Sequence, residues 1–141
     1  EENLTWMEAW KVVQNVFAYS NHTLLPEALE KWPVETMTKV LPRLMEIIFE
    51  INHHFLQDVR TRFPQDAEIE KRVSLVEEGP CQMARMAYLA TVASFSVNGV
   101  SALHTKLLKE HLFKDFNKIF PKKFNNKTNG ITPRRWLYTI N

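Results

Sequence analysis

Cysteine is almost absent from this chain. Cys81 is the only one, so neither an internal disulfide nor a multi-thiolate metal site can form, a usage that fits a reducing compartment. Glycine is scarce as well. Gly79, Gly99 and Gly130 lie far apart, which excludes a glycine-rich phosphate loop. An excess of either charge is missing too: 18 lysines and arginines face 16 acidic residues, a formal net charge of +2, whereas a dedicated nucleic-acid binder concentrates positive charge on one face. No apolar run approaches the ~20 residues needed to cross a bilayer. No internal repeat, low-complexity tract or Ser/His/Asp grouping with usable local context occurs. What remains is a globular composition of 141 residues, 45% of them apolar, enough to build a core. Asn-x-Thr matches start at Asn3, Asn21 and Asn126 and read as chance, with no signal peptide in view. The chain opens on Glu1 rather than Met and stops just after a helix-start signal, so a piece of a longer protein is expected.

The patterning is mainly helical. Thr5 followed by Glu8 is a capping box, and Trp6, Trp10, Val13 and Phe17 recur behind it at helical spacing, which predicts a helix over 6–20. Asn21, His22 and Thr23 form a polar break, and Pro26 opens a short helical turn. The longest helix is expected over 42–63, with Leu44, Ile47, Ile48, Ile51, Phe55, Val59 and Phe63 as its apolar stripe. A short charged helix over 66–72, a strand over 73–76 and a turn at Gly79-Pro80 follow. Helices are expected over 81–94 and 102–112, with a strand over 96–101 between them. Residues 113–124 read as irregular, and Thr132-Pro133 as a helix start. Two isolated strands cannot make a stable sheet, so their partners are expected outside this sequence.

Few residue groups carry chemistry by themselves. Glu50, His53 and His54 share the long helix at a spacing that di-iron bundles use, but such bundles need a second copy and further carboxylates; a solvated polar face is the better reading. Trp6 and Trp10 read as core, Trp32 is open, and Trp136 sits in the first turn of a helix. Arg134 and Arg135 beside that helix start suit either an anion site or an exposed basic pair. Seven lysines from Lys106 to Lys127 alternate loosely with Phe113, Phe116, Phe120 and Phe124, superficially like a single-strand nucleic-acid surface. Glu110 and Asp115 interrupt them, and core phenylalanines explain the spacing better.

Longer stretches are more specific. The run 21–33, Asn-His-Thr-Leu-Leu-Pro-Glu-Ala-Leu-Glu-Lys-Trp-Pro; Ile48 to Asn52; Ser74 to Gly79; Val97 to Val100; and above all 126–136, Asn-Lys-Thr-Asn-Gly-Ile-Thr-Pro-Arg-Arg-Trp, resemble the glycogen (α-1,4-glucan) phosphorylases. The resemblance implies a fragment, mostly α with short strands, of an α/β enzyme with two Rossmann-like domains in a glycosyltransferase-B arrangement. Residues 1–129 would end the N-terminal domain and 130–141 would begin the C-terminal, cofactor-binding one. The implied reaction is phosphorolysis of α-1,4-glucan by inorganic phosphate to glucose 1-phosphate, with retention. The implied cofactor is pyridoxal 5'-phosphate, whose anchoring lysine lies outside this chain, and the complete enzyme is expected to be a cytoplasmic homodimer. His22 and Asn129 match residues that hydrogen-bond the glucosyl unit. Thr23, Ala28 and Glu30 match residues lining the pocket beside it, and Trp136 matches an aromatic packed on the cofactor. No catalytic residue and no metal ligand carries over. Arg134 and Arg135 move to a structural role at the domain junction. Phe49 and Gln82 depart from the tyrosine and lysine of a second glycogen site found in vertebrate members. The chain alone is expected to be inactive. The contrasting reading is a free-standing helical interaction module without catalysis.

Overall fold

The computed structural model describes residues 3–139, apart from the Leu137 side chain; Ile140 and Asn141, which the expected second domain includes, lie outside the described residues. The described residues are mostly helical, with short strands in two small sheets.

Helix α1 (Trp6–Val16) opens on the expected capping box. The Thr5 amide donates to the Glu8 carboxylate at 2.9 Å and the Glu8 amide donates to the Thr5 hydroxyl at 3.4 Å. The helix stops short of Ser20, because Ala18–Ser20 forms strand β1. The gain there is tertiary: β1 pairs in parallel with a later strand, and Tyr19 packs edge-on against Phe113 at 6.5 Å between centroids. Pro26–Ala28 makes the expected single helical turn, and Lys31–Pro33 forms β2.

Helix α2 (Val34–Val40) leads into α3 (Pro42–Arg62), the long helix expected from sequence. Its buried stripe is Met45, Ile48, Ile51, Phe55 and Val59, while Leu44 is 50% exposed. By angle Leu44 lies on the same face as Ile48 and Ile51, four and seven residues on; it is exposed although it shares their stripe, in the first turn of the helix. Helix α4 (Ile69–Val73) and strand β3 (Val76–Glu77) lie slightly later than expected, since Ile69, Val73 and Leu75 are all fully buried.

The expected helix over 81–94 is shortened. Met83–Arg85 forms strand β4, and helix α5 spans Met86–Ala93. Met and Ala favour helix, but Ala84 stands opposite both Trp32 and Val76 in an antiparallel sheet of order β2-β4-β3, buried beside Met45 and Ile48. Its small side chain lets the sheet approach α3 closely.

Strand β5 (Ser96–Gly99) is followed by α6 (Ala102–Leu107), which continues as a wider π-helical turn, Leu108–Leu112. Residues 114–119, expected to be irregular, form helix α7 (Lys114–Ile119). Phe113, Phe116 and Ile119 recur every three residues on one face and are at most 2% exposed, so the phenylalanines are core and the intervening lysines solvated. Phe116 lies 6.1 Å from Phe55 and 4.9 Å from Tyr88 between ring centroids. Strand β6 (Phe124–Asn126), not expected from sequence, follows.

Strand partners therefore lie within the chain, contrary to expectation. β1, β5 and β6 form a parallel sheet in the order β1-β5-β6, with Ser20 opposite Asn98 and Asn98 opposite Asn125. Parallel strands need long crossovers, and these span 75 residues of intervening chain between β1 and β5, 21–95, and the α6–α7 segment between β5 and β6. All three carboxyl ends share one edge.

Candidate functional site

In open parallel sheets, ligands bind beyond the carboxyl ends of the strands. Three loops leave that edge here, and the backbone ties them together. After β1, the Asn21 amide donates to the Asn98 carbonyl at 2.9 Å. After β6, the Lys127 and Asn129 amides donate to the Gly99 and Val100 carbonyls at 3.1 and 3.0 Å. The segments carrying His22 and Asn129 are thus bound to the same strand end, one on either side.

Asn21 fixes the first loop. It is 1% exposed. Its Oδ1 accepts the Thr23 amide at 3.0 Å and its Nδ2 donates to the Tyr19 hydroxyl at 3.1 Å. Burial raises the Tyr19 hydroxyl pKa above its ordinary value. Thr23 Oγ1 accepts the Leu25 amide at 3.1 Å, which shapes the entry to the Pro26 turn. His22 sits between two residues pinned in this way, with its own side chain exposed and without a hydrogen bond among the described residues. No side chain, neither that of His22 nor that of Thr23, caps the turn itself.

Asn129 is exposed as well, and its side chain has no hydrogen-bond partner among the described residues. An Asn-Gly pair often marks a turn with positive φ, but neither Asn129 nor Gly130 has one.

The remaining residues lie elsewhere. Ala28 is on the exposed Pro26 turn. Glu30 lines a cleft of about 210 Å³ with Lys31, Glu77, Arg85 and Tyr88, and its carboxylate accepts the Trp32 indole N–H at 2.6 Å. In that cleft Lys31 bonds Glu77 at 2.7 Å and holds the Glu77 carboxyl below its usual range. Arg85 donates from Nε to the Ser74 carbonyl at 2.8 Å and lies 4.1 Å over the Tyr88 ring. Trp136 is half exposed in the helical turn Arg134–Tyr138, and its amide donates to Thr132 at 2.9 Å. Among the described residues no hydrogen bond joins Glu30 or Trp136 to the His22–Asn129 edge. Arg134 and Arg135 are exposed in the same turn.

Glu50 pairs with His54 at 3.1 Å, and His54 stacks on Trp6 at 5.4 Å. Among the described residues no group of three or more His, Cys, Asp or Glu side chains assembles as a metal site, and no helix is long and apolar enough to cross a membrane.

Two site-building residues escaped the sequence reading. Asn98 joins β1 to β5 through its Oδ1, which accepts the Ser20 hydroxyl at 2.8 Å. The His104 Nδ1 accepts the Val100 amide at 3.0 Å. A lone asparagine in a strand and a lone histidine in a helix carry no spacing signal, although Asn98-Gly99-Val100 belongs to one of the specific stretches.

The described residues thus present a parallel-strand edge with two tethered polar loops in a mostly helical chain, and comparison with known proteins names the family. The carbohydrate phosphorylase family matches residues 1–141, and the chain belongs to that family. It is 50% identical over 141 residues to the glycogen phosphorylase of Synechocystis sp., covering 100% of this chain and 17% of that protein. It is 51% identical over 140 residues to the liver form from Bos taurus and 54% identical over 142 residues to the glycogen phosphorylase of Saccharomyces cerevisiae, covering 99% of this chain and 16% of each. The chain thus spans about one sixth of the length of these relatives.

Proposed function

We propose that this chain works as part of an α-1,4-glucan phosphorylase, which uses inorganic phosphate to release glucose 1-phosphate from glycogen or maltodextrin. The observation that carries this reading is the shared edge: His22 and Asn129, 107 positions apart by their numbers, leave opposite sides of one strand end with exposed side chains and pinned backbones. An amide offers both a donor and an acceptor, and so does a neutral imidazole. That pair suits sugar hydroxyls, which also donate and accept. Fixing the two loops before substrate arrives lowers the ordering cost of binding and holds the glucosyl ring in place for attack at its anomeric carbon. Thr23 and Ala28 continue the same loop, and Glu30 follows it into a cleft with Lys31, Glu77 and Arg85; in this reading they border the sugar pocket.

Residues 1–129 belong, in this reading, to the end of an N-terminal domain, with the parallel sheet as part of a Rossmann-like unit, and 130–141 to the start of a cofactor-binding domain. Trp136 fits the proposed pyridoxal 5'-phosphate, since a half-exposed indole can pack on a planar ring. When bound, that group would exchange a proton between its own phosphate and the substrate phosphate. Lys123 is partly buried, but its Nζ donates to the Thr91 and Val92 carbonyls at 3.0 and 3.2 Å. It is a poor anchor for the cofactor, in keeping with an anchoring lysine elsewhere.

Asn129→Ala in the enzyme carrying this segment tests the reading. The expected loss in kcat/KM is ~1–3 kcal/mol, the cost of leaving a sugar hydroxyl unpaired in a closed site. An unchanged kcat/KM would remove Asn129 from the sugar site.

A further inference from the structure

We propose that His104 is a positioning residue that acts on the substrate through Asn129, an inference that rests on the sugar-binding role of Asn129 proposed above. A single peptide unit, Gly99–Val100, links the two. Its carbonyl, on Gly99, accepts the Lys127 amide at 3.1 Å, and its N–H, on Val100, donates to His104 Nδ1 at 3.0 Å. The next carbonyl, on Val100, accepts the Asn129 amide at 3.0 Å. The imidazole therefore holds the N–H end of the peptide whose neighbouring carbonyls carry the Lys127–Asn129 segment. An amide donor needs an unprotonated acceptor, so the ring carries its proton on Nε2. Nε2 is buried without a partner among the described residues, so the Val100 bond is the polar contact that orients the ring.

The ring itself is well fixed. His104 lies in the first turn of α6, where its amide donates to the Ser101 hydroxyl at 3.1 Å. Thr105, next to it, donates from its hydroxyl to the Ser101 carbonyl at 2.8 Å and fills the space that a side chain at Gly99 would need. The helix start cannot slide along the strand end without breaking these contacts. Without the ring, the Val100 N–H is left unpaired and the peptide is held only at its Gly99 carbonyl, by the Lys127 amide and Asn98 Nδ2, so it can tilt about that end and shift the Asn129 anchor on the next carbonyl. Displacements well under 1 Å matter for a group that orients a reacting sugar.

The geometry sets the test. In asparagine the acceptor Oδ1 sits on Cγ, as Nδ1 does in histidine, whereas in glutamine it is one bond further out. In the complete enzyme, His104→Ala and His104→Gln should lower kcat/KM about tenfold and His104→Asn should restore it to within about threefold of wild type. In the Asn129→Ala background, His104→Ala should cost no further activity, because both changes break one chain of contacts. In the complete enzyme, selectively labelled at valine and asparagine, amide NMR should show the Val100 and Asn129 resonances moved by His104→Ala and returned by His104→Asn. Additive losses in the double variant, or a folded His104→Asn enzyme as weak as His104→Ala, would overturn the proposal while leaving the sugar site standing. Unmoved Val100 and Asn129 amides would overturn it at the level of the tether. If Asn129→Ala alone costs nothing, the sugar reading fails and the positioning role falls with it, and the amide shifts still show whether the tether exists.

Discussion

Gly99→Ala should destabilise this chain far more than alanine at the other two glycines. A Cβ built on Gly99 meets Thr105 at 2.5 Å from its hydroxyl oxygen and 2.9 Å from both its Cα and its amide nitrogen. Non-bonded carbons settle at about 3.5–4.0 Å, so β5 and α6 would have to part by more than half an ångström. A hydroxyl can rotate away, but the Thr105 backbone belongs to a helix whose Leu108 is fully buried. Overpacking of this kind costs ~1–3 kcal/mol, and the lower chain entropy of unfolded alanine returns about 0.4–1 kcal/mol. A net loss of ~1–2 kcal/mol remains, or about 3–7 °C in Tm for a chain of this size. Adding Thr105→Ala should recover little, since the two backbone contacts persist. Alanine at Gly79 or Gly130 meets nothing within 4 Å, and neither has a positive φ, so both variants should unfold at or slightly above the wild-type midpoint. Thermal and urea unfolding followed by circular dichroism read all four. A Gly99→Ala chain unfolding at the wild-type midpoint would refute the close approach of helix and strand.

Two further predictions concern pH. Arg72 bonds Asp66 at 2.7 Å and Asp115 at 2.9 Å, and its hydrogen bond holds the Asp66 carboxyl below its usual range. A depressed carboxyl stabilises above its unfolded pKa and loses that contribution as pH falls through the folded value. The gap in urea midpoint between wild type and Arg72→Gln should therefore narrow from pH 7 to pH 3, and a constant gap would count against the pairing. Burial lowers Lys123 to about 8, against an unfolded value of about 10.4. Between those two values the unfolded chain holds a proton that the folded chain has shed, so stability rises with pH. Wild type should gain on Lys123→Met from pH 8 to pH 10, which paired unfolding curves would show; parallel curves would mean that the two carbonyls offset the desolvation.

Helices with a single continuous stripe were legible from sequence. The capping box at Thr5, the proline start at Pro42 and the stripe from Ile48 to Val59 name α1 and α3 within a few residues, because local geometry alone selects them. The strands were less legible. Ala18–Ser20 and Met83–Arg85 have helix-compatible residues, and only pairing with β5 and with β2 and β3 extends them. The lysines around Phe113, Phe116 and Ile119 hid a helix whose apolar face repeats every three residues. At the edge, the exposed His22 and Asn129 stood out through a family resemblance and not through spacing, since their neighbourhood is made by strands that meet only in the fold. His104 gave no signal at all: its role is a contact between a ring nitrogen and a peptide four residues earlier, which becomes specific only once the strand end is placed.

The edge makes stability and the placing of His22 and Asn129 hard to separate in this chain. β1 and β6 are three residues each, too short to hold a register through side chains alone. Much of their hold on β5 comes from bonds just past their ends, from Asn21 to Asn98, Lys127 to Gly99 and Asn129 to Val100. The same bonds set where His22 and Asn129 stand. A substitution at Asn98 or Gly99 therefore perturbs the sheet and the loops together. Glu30 differs, because it hangs on the other sheet and its carboxylate bonds only the Trp32 indole among the described residues. Changes there should alter the cleft that Glu30 lines with little effect on folding. Residues whose variants lose activity and stability in proportion should thus map to the strand end, and those that lose activity alone should map to the exposed side chains, His22 and Asn129, that the strand end holds out.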